Sequence, residues 1–513
     1  MTNRKYPIGI QDFREIRSGN YLYVDKTDLI HQLLSSGKYF FLSRPRRFGK
    51  SLLLSTIKEI YSGSRDLFTG LRIENEWDWE QKYSVIHLKF SSVNYQKLGL
   101  YAALSNEIVS IAQNFSIQLI NKELKDQFRE LLEKMGRQQK VVLIIDEYDK
   151  PIIDYLENQE KALENRSLLK QFYSVIKDAD PFIEFMLITG VSKFSKVSIF
   201  SDLNNLKDLT LNVRFNNLVG ITQSELLHQF RDRINDIAES QSLSSDELIE
   251  KIKYWYNGYR WGGKDTIYNP FSLLNYLQDG QFNNYWFETG TPTFLVELLR
   301  QEGNFNLDEQ GFASLLALSS FDIEQINTQT VLFQTGYLTI NDLNFEEGWC
   351  TLHYPNKEVK ASLEQLLMDA FRYGNGKSLP LILQLRQALL GNNLEEVMSI
   401  INAAFSSIPY DLWRGATELH YHALVHLTFS LLGNYLQSEV HSAKGRCDAL
   451  VQTPSHIYAF EFKLDESAAV AVQQILSKGY LEPYQLDKRK KIAVGLNFLA
   501  EERKVGEFLW RAV

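Results

Sequence analysis

The chain has 513 residues, 44% hydrophobic and 23% charged, with a formal net charge of -8; at that length roughly two to four domains are expected, and the acidic balance argues against a general nucleic-acid coat or a membrane-surface protein while leaving room for a local basic groove. Two cysteines, Cys350 and Cys447, exclude a disulfide framework and a Cys-rich zinc site. The opening MTNRKYPIGIQDF has no apolar leader core and no stretch approaches the length of a membrane span, so a cytoplasmic protein without membrane contact is expected.

Tyr6 to Asp28 is a mixed segment that delivers the chain to a short helix, Leu29 to Ser35. Its place suits either packing against the base or sugar of a nucleotide or an edge turn of the first domain. An apolar run, Tyr39 to Leu42, then reads as a buried strand that stops at Ser43-Arg44-Pro45 and leads through Gly49-Lys50-Ser51 into a helix. At a strand–loop–helix junction the loop N–H groups and the helix N-terminus can hold phosphate oxygens, with Lys50 on the terminal phosphates and the Ser51 hydroxyl on Mg²⁺. The pattern GxxxxGK[ST] is met except at its first glycine, where Arg44 stands, and Arg44, Arg46 and Arg47 add positive charge around the anion.

About a hundred residues on, Val141 to Ile145 is a five-residue apolar strand ending in Asp146 and Glu147. Asp146 is placed to hold Mg²⁺ through water and Glu147 to polarise an attacking water, as hydrolysis of a phosphoanhydride needs. The two motifs in this order outweigh a basic turn before an ordinary helix and a buried strand with a charged end. Around them, Val85 to Phe90 reads as a strand, Tyr101 to Met135 as amphipathic helix, Glu160 to Lys177 as helix, and Pro181 to Thr189 as a strand. That alternation predicts a doubly wound, mostly parallel α/β sheet of P-loop type with ligand at the carboxyl ends of its strands. Thr189 and Ser192, just past the last strand, are candidates for sensing the terminal phosphate; polar residues are common there, and both stay open.

From Ile221 onward helix caps multiply. Thr222 with Glu225 and Ser244 with Glu247 match the capping box, and Asn269-Pro270 and Thr291-Pro292 match a cap followed by proline, so a helical lid is expected. Trp255 to Pro270 (WYNGYRWGGKDTIYNP) reads as a packed aromatic corner, with a partner-binding knuckle as the alternative. Residues 310 to 375 give helices, a hairpin from VLFQTGYLTI and TLHYPN, and a helix from Lys357, an order compatible with a winged-helix module. Asn392 to Ser407 is one more helix, and Ser406 to Trp413 breaks the pattern. The expected domains are 1–220 (P-loop domain), 221–305 (helical lid), 306–408 (helical linker) and 409–513 (C-terminal α/β domain).

The last segment carries a second constellation. Glu418 to Leu432 reads as an apolar helix, and Tyr435 to His441, Gly445 to Gln452 and Ile457 to Leu464 as strands, with Ala459, Glu461 and Lys463 on one face and Tyr458, Phe460 and Phe462 on the other. Charges amid apolar strands are costly unless compensated, and a divalent ion compensates them. Asp448, Glu461 and the Phe462 carbonyl can hold Mg²⁺ or Mn²⁺, Lys463 can orient or activate water for attack on a phosphodiester, and Glu418 and Gln474 on the flanking helices can join them. A structural salt bridge on a solvent-facing sheet is the plainer alternative. His422 and His426 share i, i+4 spacing, but no HExxH forms, so His420, His422 and His426 read as packing. Lys488 to Lys491 reads as a solvated turn that can touch nucleic-acid backbone.

Taken together, YPIGIQDF, YVDKT, SRPRRFGKSL, IDEYDKPI and TGVSKFSKVSIFSDLNNL, then WYNGY, YNPFS and YWFETGTPTFL, then ELHYH, GRCDALV, FEFKL and QQILSKGY make the chain resemble, over nearly its whole length, bacterial AAA-ATPase-like proteins with a C-terminal nuclease domain of the PD-(D/E)XK superfamily. The resemblance implies an AAA-type ATP-binding domain and a restriction-endonuclease-like domain, with Lys50, Ser51, Asp146 and Glu147 on the nucleotide and Glu418, Asp448, Glu461, Lys463 and Gln474 at the nuclease site. Arg44 in place of the first glycine is typical of that family. The function expected is an ATP-hydrolysing domain that gates or positions a phosphodiesterase acting on DNA, with ATP and Mg²⁺ or Mn²⁺ as cofactors. A nucleotide-dependent switch that binds nucleic acid or protein without cutting, and a remodelling ATPase that assembles as a ring, are the alternatives. No clear arginine finger is seen, so a homo-oligomer stays open.

Overall fold

The computed structural model describes residues 4–194, 205–287, 312–318, 326–371, 378–406, 427–429, 437–439, 447–499 and 504–513, with a few single positions between them. It forms two compact units, Met1–Gly290 with Gln310–Val359 and Thr291–Glu309 with Lys360–Val513.

In the first unit, among the described residues, five strands make one sheet: β1 (Tyr39–Ser43), β2 (Ser84–Lys89), β3 (Val141–Asp146), β4 (Ile183–Gly190) and β5 (Lys207–Asp208). Their order is β2-β3-β4-β1-β5 and every neighbouring pair is parallel. Parallel neighbours need a crossover, and helices supply it here. Consecutive residues Val141 to Ile145 are all fully buried, so both faces of β3 are covered, each side chain worth about 1.5–3 kcal/mol of burial. The Lys50–Tyr61 helix packs on β2 and β3. The carboxyl ends of β1, β3 and β4 come together at Ser43, Asp146 and Gly190, and the candidate site lies there.

The stretch expected as one helix from Tyr101 to Met135 is two, Leu100–Asn114 and Leu124–Gly136. Ser116 takes a left-handed φ of 56°, and the Glu130 carboxylate accepts the backbone N–H groups of Ile120 and Asn121, which holds the link out of helix. The apolar periodicity carries through the break and conceals it.

Beyond the sheet, β6 (Ile221–Thr222) pairs with β7 (Ile267–Tyr268), and the helices Gln223–Ser240, Ser245–Tyr256 and Pro270–Asp279 share one apolar core. Both capping boxes form, and Asn269 accepts from the N–H groups of Phe271 and Ser272. Thr291-Pro292 lies outside the described residues. Tyr256, Tyr259, Trp261 and Tyr268 are buried, as a packed aromatic corner requires. Gly258 is required there: its φ is 111°, and an added Cβ would lie 1.8 Å from the Pro355 carbonyl oxygen.

Next come β8 (Phe312–Ser314), a helix Thr328–Thr335, β9 (Thr339–Asn344), β10 (Trp349–His353) and a helix Lys357–Phe371; the three strands pair antiparallel in the order β8-β10-β9. VLFQT, read as strand, is helix: Asn327 caps it by accepting from Thr330 N–H, and Gly336, at φ 93°, ends it. Its buried apolar run is too short for periodicity to tell strand from helix.

In the second unit the helices Ser378–Leu390 and Leu394–Ser406 precede a five-stranded sheet of the described residues, in sequence order: β11 (Gln437–Glu439), β12 (Ala449–Gln452), β13 (His456–Leu464), β14 (Lys490–Leu499) and β15 (Lys504–Ala512). All pairs are antiparallel except β13–β14, which the Ala468–Lys478 helix connects. That helix lays Val472 and Ile475 on Ala459 and Ala493. On the opposite face the Tyr458 hydroxyl donates to the Leu389 carbonyl at 3.1 Å. The sheet is thus covered on both faces, and Glu461 does not face solvent. In the Lys488 to Lys491 run, Arg489 is tied to Asp487 at 2.6 Å and to Gln452. Among the described residues no helix is long and apolar enough to cross a membrane.

Candidate functional site

At the phosphate loop, Gly49 takes a φ of 93° and starts the Lys50–Tyr61 helix without a side-chain cap, so the first N–H groups of that helix are left for another acceptor. They face a cavity of about 440 Å³ lined by Arg46, Arg47, Gly49, Lys50, Ser51 and Glu147. The Lys50 ammonium is held by the Arg44 and Pro45 carbonyl oxygens, at 2.8 and 2.9 Å, and burial pulls its pKa down. Arg47 has a φ of 68° and lays its guanidinium 4.7 Å over the Phe271 ring, while the Arg46 carbonyl accepts from Trp286 Nε1 at 3.2 Å. Arg44 turns away from the cavity: it is fully buried, 4.2 Å over the Trp261 ring, and donates to the Ser43 and Thr210 carbonyls. Burial brings its pKa down to about 9.

Asp146 is bracketed. Its Oδ2 accepts from Ser51 Oγ at 2.6 Å and its Oδ1 from Thr189 Oγ1 at 2.7 Å. Glu147, next along, sits at a φ of 54°, a left-handed conformation that costs a non-glycine residue about 1–3 kcal/mol and that concentrates at working sites. A bare helix N-terminus, a lysine, and a hydroxyl beside a carboxylate fit a nucleoside triphosphate with its divalent cation. A second cavity, of about 100 Å³, shares Pro7, Gly49, Leu52, Pro270 and Leu274 with the first and is otherwise mostly apolar, with Tyr23, Val24, Leu218 and Val219 on its walls.

Asp149 was not singled out by sequence, although it closes the same IDEYD run. It accepts from Val191 N–H at 2.9 Å and Ser192 N–H at 2.6 Å, and Tyr148 donates its hydroxyl to the Ser192 carbonyl, so the turn after β3 clamps the loop after β4. Ser192 is buried in that clamp; Val191 lines the cavity. Burial raises the Asp149 pKa to about 6. A folded pKa above the unfolded value of about 4 gives stability that is whole below pH ~4 and lost as pH rises through ~6, about 3 kcal/mol. Asp149→Asn removes that titration, so its melting temperature relative to wild type should rise between pH 4 and pH 7; a difference independent of pH would contradict the assignment.

The second constellation also assembles. The Asp448 Oδ2 accepts from Phe462 N–H at 2.6 Å, and a strand residue's N–H and C=O point the same way, so the Phe462 carbonyl lies on the side of Asp448. Gln474 Nε2 donates to Glu461 Oε1, and Lys463 Nζ stands 3.7 Å from the same oxygen. Among the described residues, Glu461 Oε2 is buried without a hydrogen-bond partner. Burial first, then the charge of Asp448, raises the Glu461 pKa to about 7, and Lys463 opposes the rise. A buried carboxylate oxygen with an open lone pair, beside a second carboxylate, fits a hard divalent cation. Gly495 on β14 lets the Ala468–Lys478 helix approach, since an added Cβ would lie 2.3 Å from the Ala468 carbonyl oxygen. Glu418, His420, His422 and His426 lie outside the described residues, and those described hold no cluster of three or more His, Cys, Asp or Glu side chains fit for a metal.

Two family models match the chain in the regions of these two sites, one described as a predicted AAA-ATPase over residues 7–200 and one for the PD-(D/E)XK nuclease superfamily over residues 416–508. A curated relative, "Uncharacterized protein in vnfD 5'region" of Azotobacter chroococcum mcd 1, is 38% identical over 522 residues, covering 99% of each chain. The chain belongs to the AAA-ATPase-like family with a C-terminal PD-(D/E)XK nuclease superfamily domain. Among solved structures, the Aeropyrum pernix ORC2 protein in its ADPNP-ADP complexes matches 70% of this chain and 98% of its own at 14% identity, with a TM-score of 0.26, too low to bear on the fold or ligand. The AAA-ATPase-like domain thus contains Lys50, Ser51, Asp146 and Glu147, and the nuclease-superfamily domain Asp448, Glu461, Lys463 and Gln474.

Proposed function

We propose that the chain binds and hydrolyses ATP and that its nucleotide domain regulates a metal-dependent phosphodiesterase domain acting on DNA. The observation that carries the reading is Glu461 Oε2, buried and unpartnered beside Asp448 and Lys463 in a nuclease-superfamily domain. Packing that carboxylate away from water without a partner is unfavourable unless a cation or a proton arrives. Asp448, Glu461 and the Phe462 carbonyl would hold Mg²⁺ or Mn²⁺, which when bound supplies charge stabilisation to a phosphate and acidifies water. Gln474 fixes the rotamer of Glu461. Lys463, 22% exposed at its side chain, reaches the solvent edge where it can orient the attacking water; Glu418 is the further acid expected there.

In the first domain the N–H groups after Gly49, with Lys50, Arg46 and Arg47, bind the phosphates, and the apolar cavity beside Pro7, Tyr23 and Val24 takes the base. Ser51 and Asp146 would hold Mg²⁺, and Glu147 accepts the proton of the attacking water. Thr189, bonded to Asp146, and Ser192, bonded to Asp149, would sense the terminal phosphate through those carboxylates and not by direct contact. The protein is read as cytoplasmic, the place expected of an AAA-ATPase-like domain joined to a nuclease-superfamily domain.

The test is cleavage of plasmid and single-stranded DNA by the full chain with Mg²⁺ or Mn²⁺, with and without ATP. Cutting that needs metal and changes with ATP is expected. Intact DNA under every condition, with ATP hydrolysis retained, would overturn the nuclease assignment in favour of a nucleotide-dependent switch or remodelling ATPase that binds without cutting.

A further inference from the structure

The sheet of the second unit ends on β15, nine residues long, whose only strand partner among the described residues is β14. Natural edge strands are blunted by shortness, proline or inward charge. Here the Phe508-Leu509-Trp510 centre is apolar, with Leu509 44% and Trp510 51% exposed. Among the described residues, hydrogen bonds cover only the start of the edge: Asn402 accepts the Val505 N–H, and its amide donates to the Val505 carbonyl.

The register shows which backbone groups are open. Val513 N–H donates to the Lys491 carbonyl, in line with the pairs Arg511–Ala493, Leu509–Gly495 and Glu507–Asn497. Antiparallel strands alternate, so from Glu507 onward, past the register shift at Asn497/Phe498, the odd residues bond to β14 and the N–H and C=O groups of Phe508 and Trp510 point away from it. We infer that β15 pairs antiparallel with β15 of a second copy of this chain, about Leu509 as centre.

The charges select that centre. Two-fold pairing about Leu509 sets Phe508 against Trp510 of the second copy as the hydrogen-bonded pairs. It sets Leu509 against itself, and Glu507 against Arg511, as the closer non-hydrogen-bonded pairs. Arg511 is exposed and makes no ion pair among the described residues, and Glu507 has only a 3.4 Å contact from Ala468 N–H. A shift of the centre by one residue, to Phe508 or Trp510, breaks both ion pairs. Two opposite-charge pairs and three apolar cross-strand contacts follow from one symmetry operation, as an isologous interface requires. The occupant that fits is therefore a second copy.

The test is the mass of the full chain in solution, by light scattering on a sizing column at tens of micromolar. Wild type should run at twice its 59.5 kDa chain mass. Glu507→Arg and Arg511→Glu, each of which sets like charges opposite one another, should run as monomers. The double variant Glu507→Arg with Arg511→Glu should run as the dimer again, which also shows that the single variants did not merely unfold. A monomeric wild type, or single variants as dimeric as wild type, would overturn the pairing; so would a double variant that stays monomeric.

Discussion

Replacing Lys463 with alanine should lower metal-dependent DNA cleavage by at least about 100-fold, the size expected when a group that handles the attacking water is removed. The side chain is partly exposed and among the described residues makes one ion pair, at 3.7 Å, so its loss leaves the packing of β13 intact. Two effects act in the same direction. The amine no longer orients water. The Glu461 pKa, which Lys463 holds down against burial and Asp448, also rises further above about 7. A carboxyl group that is protonated at neutral pH competes with cation binding, so calorimetric affinity for Mn²⁺ should fall in the same variant and recover as the pH is raised. Cutting at the wild-type rate in Lys463→Ala would remove this residue from the reaction.

Lys50→Ala should lower ATP hydrolysis by a similar factor, at least about 100-fold or about 3 kcal/mol of barrier, measured as phosphate release. Lys50 is buried where its ammonium bridges the Arg44 and Pro45 carbonyls, close to Asp146, Glu147 and Asp149. A phosphate group entering the cavity takes over from those carbonyls as its partner, and without the lysine the entering charge meets three carboxylates and no compensating amine. Nucleotide binding should therefore weaken together with turnover. If DNA cleavage in Lys50→Ala no longer responds to ATP while the ATP-independent rate is kept, the first domain controls the second. Wild-type phosphate release from Lys50→Ala would remove the loop from the chemistry.

Much of this was legible in the order of residues. Val141 to Ile145 announces a strand buried on both faces that ends in Asp146 and Glu147; Thr222 with Glu225 and Ser244 with Glu247 name their own helix starts, because a cap bonds only to residues two or three away. Alternation alone put Glu461 and Lys463 on one face of β13. Periodicity failed where a backbone break leaves the apolar pattern unchanged, as at Ser116, and where the run was too short to choose, as in VLFQT.

Only the tertiary structure decided the partners. Ser51 and Thr189, 95 and 43 residues from Asp146, close on its two oxygens; Asp149 grips the backbone after β4; Arg44 leaves the phosphates for Trp261. The depth of Glu461 was decided in the same way, by the Ala468–Lys478 helix lying on Gly495, which turned an exposed-looking carboxylate into a buried one. Apart from VLFQT and the break at Ser116, the sequence by itself determined which of the described segments named above are strands and helices and which residue types stand at their ends, because those depend on neighbours a few positions away. Which of those ends meet, and how far from water they meet, depends on packing between segments that are tens of residues apart, and burial of that kind sets both the charge a carboxyl group can carry and the ligand it can hold.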